Sequence, residues 1–87
     1  MISAAITDGK TELTLQDVQE GSTLRILGIA GVKESRKQLA RMGIQTGDVV
    51  VVRRRVPFGG PVVVERGGIV IALGKRFACQ IKVERLS

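Results

Sequence analysis

The chain is 87 residues long, enough for one small domain with a modest core. It carries 14 Lys and Arg against 8 Asp and Glu, and this formal charge of +6 favours phosphates, anionic lipids or an acidic protein surface as partners. It has no His, one Cys and two aromatic residues, both Phe. The commonest general base and transition-metal ligand are therefore missing, and few rings are available to stack on bases. The composition argues against an enzyme and weighs against a binder of single-stranded nucleic acid.

The first residues differ in character from the rest. Residues 1–12 mix small and polar types without periodicity, which predicts a flexible N-terminal tail before one domain at residues 13–87. The longest apolar runs of the chain fall far short of the roughly 20 residues that span a membrane. We expect a soluble, cytoplasmic protein without membrane insertion. Cys79 cannot form an internal disulfide and, among apolar neighbours, is predicted to be a buried, inert thiol.

A short helix is predicted at residues 33–42, where the hydrophobic period changes from that of a strand to that of a helix. Its apolar face is predicted to hold Val32, Leu39 and Met42. Gly43 is placed to end the helix in a left-handed conformation, and Ile44 can then fold back onto Leu39. The helix is therefore expected to have a well-defined C-terminus.

Strands are predicted before and after this helix. Residues 22–29 alternate apolar and polar positions and form the first strand, after a turn at Gly21. A second strand follows Gly47, with two faces predicted to hold Val50, Val52, Arg54 and Val56 on one side and Val49, Val51, Arg53 and Arg55 on the other. We expect its valine half to be buried on both sides and its arginine half to emerge into solvent.

Turn signals divide the remaining sequence into short strands. Pro57 and Pro61 bound a longer connection, and Gly67 with Gly68 forms a two-residue hairpin signal. Residues 75–79 are predicted to form one irregular turn before a last strand, in which Ile81 faces the core. Five strands and one inserted helix predict a mainly β fold, a small closed or half-closed barrel.

No motif for catalysis or cofactor binding is present. The serines have no histidine to activate them. The segment PFGGP lacks the lysine and hydroxyl that follow the last glycine of a phosphate-binding loop. The acidic residues are scattered, without the spacing of a hard-metal cage or of paired catalytic carboxylates. We therefore expect no catalytic residue, no cofactor and no metal site.

Four segments in order resemble the FeoA family, the small component of bacterial ferrous iron uptake. They are LxLxDVxxGxxxRI from Leu13, RMGI followed by TGDVV, PFGGP, and GIVIALGKRFACQIKV, and the match runs to Arg85. The resemblance implies an SH3-like barrel that assists FeoB, a large membrane permease whose cytoplasmic part binds GTP. Members of this family are also described as binding transition metal ions.

Most motif positions are interpreted as core or turn residues. These structural positions are Leu39, Met42, Gly43, Gly47, Pro57, Gly59, Gly60, Pro61, Gly67 and Gly68. The chain departs from the family at three places. Gly60 stands where an acidic residue is common, Gly74 where Arg is frequent, and Phe77 where an acidic residue is frequent. Any metal or partner contact that depends on an acidic residue at the position of Gly60 would be absent from this chain.

The candidate surface for a FeoB-like partner combines an arginine run, an aromatic residue and the polar face of the helix. It consists of Arg53, Arg54, Arg55, Phe58, Lys33, Arg36, Lys37 and Arg41. An aromatic residue among arginines has the composition of a binding hot spot. Two alternatives stay open: the arginines are only the solvated side of a hairpin, and the Phe58 ring folds back over the barrel end.

Other functions also fit parts of the sequence. If the charge of +6 lies on one face, the barrel could bind a nucleic-acid backbone. An SH3-like regulatory domain could bind a transition metal or a proline-rich peptide, although two Phe and no Trp or Tyr make a poor aromatic groove. Val62, Val63 and Val64 could form an exposed edge strand that pairs weakly with a second copy.

Overall fold

One antiparallel sheet carries the fold in residues 13–87, the part of the chain that the computed structural model describes. Its strands are β1 (Leu13–Thr14), β2 (Thr23–Ile29), β3 (Val49–Arg55), β4 (Val62–Arg66), β5 (Ile69–Leu73) and β6 (Ile81–Arg85). They are arranged in the order β1-β6-β2-β3-β4-β5. A 3₁₀ turn (Leu15–Asp17), helix α1 (Lys33–Arg41) and helix α2 (Lys75–Ala78) complete the fold. The tail predicted at residues 1–12 lies outside the described residues.

The predicted fold class, a mainly β SH3-like barrel with one short inserted helix, is confirmed, but the element count is not. The structure has six strands and two helices instead of five strands and one helix. Strand β1 is only two residues long, and α2 is a single turn at the position predicted to be irregular. Elements this short show no periodicity in the sequence. The barrel is half-closed, since β1 and β5 end the strand order and no ladder joins them within residues 13–87.

The core follows the period of two in the strands. Each strand from β2 to β6 points alternate apolar residues inward, and the buried strand residues are Leu24, Ile26, Val50, Val52, Val62, Val64, Ile71, Leu73, Ile81 and Val83. Leu15, Val18, Leu39 and Ile44 close the cluster from the 3₁₀ turn and α1. Full burial of one such side chain contributes about 1.5–3 kcal/mol, so the core is the main source of stability.

The outer face of β3 is more exposed than predicted. Val50 and Val52 are buried, but Val51 is only half-buried and Val49 is 43% exposed, because no second layer formed by residues 13–87 covers the outer face there. A register shift between Val52 and Arg54 also breaks the predicted alternation. The prediction that the valine half is buried on both sides was therefore wrong.

Helix α1 ends as the sequence predicts but packs through fewer residues. The Gly43 amide donates to the Ala40 carbonyl at 3.0 Å and the Ile44 amide to the Leu39 carbonyl at 2.9 Å, the two bonds of a Schellman motif. Leu39 is buried and Met42 half-buried. Val32 is 68% exposed because it stands at the N-cap, before the first helical turn, so its predicted place on the packed face was wrong.

The cysteine and the predicted edge strand also differ from expectation. Cys79 is exposed, because it caps the end of α2 while its neighbour Ala78 takes the inward position. Residues 62–64 belong to β4, which pairs with β3 on one side and β5 on the other. The predictions of a buried thiol and of an edge strand at Val62, Val63 and Val64 were therefore wrong. The free edges are β1 and β5.

Within residues 13–87, no helix is long and apolar enough to cross a membrane.

Gly43→Ala should lower the free energy of unfolding by about 1–2 kcal/mol. Gly43 has φ of +95°, in the left-handed region that costs a residue with a Cβ about that much. Urea denaturation of the variant and the parent measures the difference. Gly28→Ala is the matched control, since Gly28 has no positive φ and a Cβ there meets no atom within 4 Å. Equal stability of Gly43→Ala and the parent would contradict this account of the helix end.

Candidate interaction site

Phe58 stands at the apex of the connection between β3 and β4. This connection, residues 56–61, is named here the tip. It is closed by the Val56 amide donating to the Pro61 carbonyl at 3.0 Å. Phe58 is fully exposed, at 103% of the reference area, and its φ is +59°. Of the two alternatives for this ring, the structure has the exposed one.

Phe58 has a backbone conformation and an exposure that are both unfavourable for a bulky aromatic residue. A positive φ is uncommon for a residue with a Cβ, and exposure of a whole aromatic ring gives up its burial energy. The fold therefore holds an aromatic side chain in water at some cost in stability. Such local cost is typical of positions that are kept for binding.

Gly60 explains how tightly the tip is folded. A Cβ at Gly60 would lie 2.4 Å from Cγ1 and 2.6 Å from Cβ of Val56, and 3.1 Å from the Val56 carbonyl oxygen. The close approach leaves no space for any side chain. The acidic residue that the family resemblance implies at this position could not be accommodated without reshaping the tip.

The three arginines beside the tip have different roles. Arg53 pairs with Glu65 on β4, with 2.6 Å between Nε and Oε1. Arg55 holds the 3₁₀ turn, because its guanidinium donates to the Gln16 carbonyl. Arg54 is exposed, and its side chain has no hydrogen-bond or ion-pair partner within residues 13–87. Two of the three arginines are thus engaged in the fold, and Arg54 is available to a partner.

Two further residues, which the sequence analysis did not select, support the tip. The Arg55 backbone amide donates a hydrogen bond to Oε2 of Glu20 at 2.9 Å, and this bond fixes the end of β3. Lys75, the first residue of α2, lies against Gly59, where a Cβ would come within 3.6 Å of its Cδ. A cavity of about 120 Å³ separates this part of α2 from the tip. No local pattern could reveal these residues, since each is distant in sequence from the tip element that it contacts.

The basic residues of α1 form a second group. Lys33, Arg36, Lys37 and Arg41 are all exposed. Arg36 donates to the Gly31 carbonyl at 3.0 Å, at the start of the helix. The end of α1 instead borders the β4–β5 hairpin, where a Cβ on Gly43 would meet Arg66 and Ile71. The structure gathers Phe58 and the arginine run at the tip, and no hydrogen bond or ion pair in the described chain joins them to the α1 cations.

A separate groove lies along the outer side of β6. It has a volume of about 580 Å³ and is lined by Leu13, Leu27, Gly28, Lys82, Val83, Glu84 and Arg85. Leu27 is 49% exposed beside a register shift between Ile26 and Gly28. An apolar residue at an outward position of β2 was the available sequence signal for this groove.

Metal-ligating side chains do not cluster in the described part of the chain. No group of three or more Cys, Asp or Glu within residues 13–87 could hold a metal ion. Several carboxylates are engaged with arginines, as Glu84 is with Arg25 at 3.3 Å. Cys79 lies alone, with its Sγ 3.4 Å from the Arg76 carbonyl oxygen.

Comparisons with known proteins agree on one family. The model of the FeoA domain matches residues 13–85. No curated protein matched the chain. Among solved structures, an iron uptake regulatory protein (FeoA) is similar with a TM-score of 0.79 and 28% identity, over 85% of this chain and 97% of that one. A FeoA-like protein from Clostridium acetobutylicum has a TM-score of 0.77 and 28% identity, over 87% of this chain and 88% of that one.

A larger protein contains a similar domain. The crystal structure of ScaR with bound Zn²⁺ matches with a TM-score of 0.78 and 25% identity, over 86% of this chain and 37% of that one. The similarity therefore concerns one part of ScaR.

Gly60→Ala should destabilise the protein by about 1–3 kcal/mol, because the added Cβ overlaps Val56 and forces the tip to move. Thermal or urea unfolding measures the loss, and the backbone amide resonance of Phe58 should shift. Gly74→Ala is the control, since a Cβ on Gly74 meets no atom within 4 Å. Unchanged stability and an unchanged Phe58 resonance in Gly60→Ala would show that the tip is not held as described.

Proposed function

The chain belongs to the FeoA family, and from this membership we propose that it is a non-catalytic, cytoplasmic accessory protein of ferrous iron uptake. Residues 13–87 form its docking domain, and the partner is the cytoplasmic GTP-binding domain of a FeoB-like permease. Family membership supports the role in ferrous iron transport. The permease as partner and the surface that contacts it are parts of the proposal.

The exposed Phe58 ring is the observation that carries the docking proposal. An aromatic side chain with few rotatable bonds loses little entropy on binding and gains a large contact area. Its position at the apex of the tip lets the ring enter a pocket without movement of the barrel. The close approach of Gly60 to Val56 and the bond from Arg55 to the Gln16 carbonyl fix the backbone that carries Phe58 before binding. Such preorganisation lowers the entropic cost of association.

The charge around Phe58 favours an acidic contact surface on the partner. The side chain of Arg54 has no hydrogen-bond or ion-pair partner within the described residues. Lys75 is exposed beside Gly59. Cations at the rim of an interface accelerate association and select the partner more than they add affinity. We assign the same steering role to the α1 cations Lys33, Arg36, Lys37 and Arg41, which are exposed on a different element.

Phe58→Ala should weaken binding to the purified GTP-binding domain of the FeoB permease from the same organism by at least about thirtyfold. This loss is typical of an aromatic hot-spot residue, for which truncation costs at least about 2 kcal/mol. Arg54→Glu should mainly slow association, and the effect should shrink with added salt. Surface plasmon resonance at two salt concentrations measures both effects.

Leu27→Ala and Arg85→Glu are matched controls, because both residues are exposed and lie outside the proposed surface. If the tip variants bind as well as the controls, the proposed surface is wrong. A fluorescent oligonucleotide is tested in parallel. Tight, salt-sensitive binding of that oligonucleotide, together with no binding to the permease domain, would favour the nucleic-acid alternative.

We further propose that the chain has no resident metal, unlike ScaR, whose structure contains bound Zn²⁺. The sequence has no histidine and one thiol. Anaerobic calorimetry of the isolated chain with Fe²⁺ should show no stoichiometric site. Cys79→Ala is the control for weak thiol binding and should give the same trace. A one-to-one isotherm in the parent protein would contradict this proposal and favour a metal-binding role.

A further inference from the structure

The free edge of β5 has the properties of a strand-binding site. β5 ends the strand order, and its sequence, IVIAL, contains neither a charge nor a proline. Edge strands of soluble proteins are commonly protected by inward charges, prolines or bulges, because an open edge offers unpaired amides and carbonyls. The ladder between β4 and β5 is regular, with five consecutive pairs from Val62↔Leu73 to Arg66↔Ile69. None of these protections is present in β5.

The hairpin geometry identifies the backbone groups that face the open edge. Gly67 and Gly68 have φ of 56° and 87°, as in a type I′ turn, so Arg66 and Ile69 form the hydrogen-bonded pair that closes the hairpin. Hydrogen-bonded and non-hydrogen-bonded pairs alternate in an antiparallel ladder. The amides and carbonyls of Val70 and Ala72 therefore point away from β4, toward the free edge.

These groups have no other partner. Within residues 13–87, no turn, cap or side-chain hydrogen bond involves the backbone of Val70 or Ala72. Val70 is 62% exposed, Ile69 is 57% exposed, and Ala72 is also exposed. One edge of the barrel thus offers two donors and two acceptors beside apolar side chains.

Charge at the ends of β5 distinguishes a second copy from a different partner. Lys75 and Arg76 follow the strand, are exposed and have no ion-pair partner in the described chain, while Arg66 precedes the hairpin at the other end. An antiparallel pair of two β5 strands would bring Lys75 of one copy toward Arg66 of the other. Each copy also carries a net charge of +6. Electrostatics therefore opposes self-pairing and favours an acidic strand.

We propose that the edge of β5 binds an extended segment of a partner protein by strand addition, and that this segment has β-branched residues in its centre and acidic residues at its ends. Backbone hydrogen bonds to Val70 and Ala72 hold the segment. One acidic end lies near Lys75 and Arg76, and the other lies near Arg66 at the opposite end of β5. This site is on β5 and does not depend on the docking function of Phe58.

A capped synthetic peptide of sequence Glu-Val-Thr-Val-Thr-Val-Glu is the probe, and NMR of the labelled protein is the measurement. Binding at millimolar peptide should shift the Val70 and Ala72 amide resonances and slow their hydrogen exchange at least about fivefold. The same peptide with Lys at both ends should bind at least about fivefold more weakly, with the difference reduced by salt.

Ala72→Pro removes one edge amide without removing a hydrogen bond to β4, and proline is tolerated at such edge positions. It should reduce peptide affinity about tenfold. Val70→Glu, which adds a protective edge charge of the same sign as the ends of the peptide, should do the same and serves as the second variant if Ala72→Pro folds poorly. Leu27→Glu is the matched control, since it adds a glutamate at an exposed apolar position of β2, and Phe58→Ala tests independence from the tip. Both should bind the peptide normally.

The proposal is overturned if neither peptide binds, if both bind equally, or if the edge variants bind as well as the parent. It is also overturned if sedimentation of the protein alone shows a dimer that Ala72→Pro abolishes, because the edge would then belong to a second copy. Peptide binding with a normal response in Phe58→Ala but failed docking on the permease domain would refute the proposed function and leave the β5 site intact.

Discussion

A single sheet with one apolar face constrains every other feature of this protein. Each strand contributes its inward residues to one small core, so side chains that could contact a partner must lie on the outer face, at the strand ends or along the open edges. Among the described residues, no second layer covers the outer face at β3, where Val49 stays partly exposed. The polar and charged side chains of the described residues therefore lie almost entirely on the surface. Recognition by shape and charge is the kind of function that such an architecture supports best.

The tip shows how the fold turns local irregularity into a surface feature. The register shift in β3 falls at the start of the arginine run, where two of the arginines find partners in Glu65 and Gln16. The chain then turns tightly enough that Gly60 has no space for a Cβ. As a result Phe58 projects from a supported base. Of the three consecutive arginines, Arg53 and Arg55 are thus engaged within the fold, and Arg54 is exposed and belongs to the surface that we propose for binding.

The two proposed sites use different physics. The tip would bind through an aromatic side chain and nearby cations, so its partner must present a pocket with acidic character. The edge of β5 would bind through backbone groups, and side chains there would add selectivity only. A small barrel with both could contact two segments of one partner at once, and linked contacts of this kind strengthen each other by raising the effective concentration.

The sequence by itself determined the features that depend on neighbouring residues. Alternation in β2, the Schellman end of α1 at Gly43 and the hairpin at Gly67 and Gly68 each need only a few consecutive residues, and local sterics fix them. The mainly β class follows from these elements. The composition also limited the available chemistry, since a chain without histidine lacks the commonest general base.

Only the tertiary structure decided which residues meet across the sequence. β1 pairs with β6, and Arg55 contacts Gln16, 39 positions away, so neither contact has a local signature. The same reason accounts for the exposed Cys79 and for β5, not residues 62–64, forming the edge. Strand order is a property of long-range pairing, and the period of two is the same for an edge strand and an inner one.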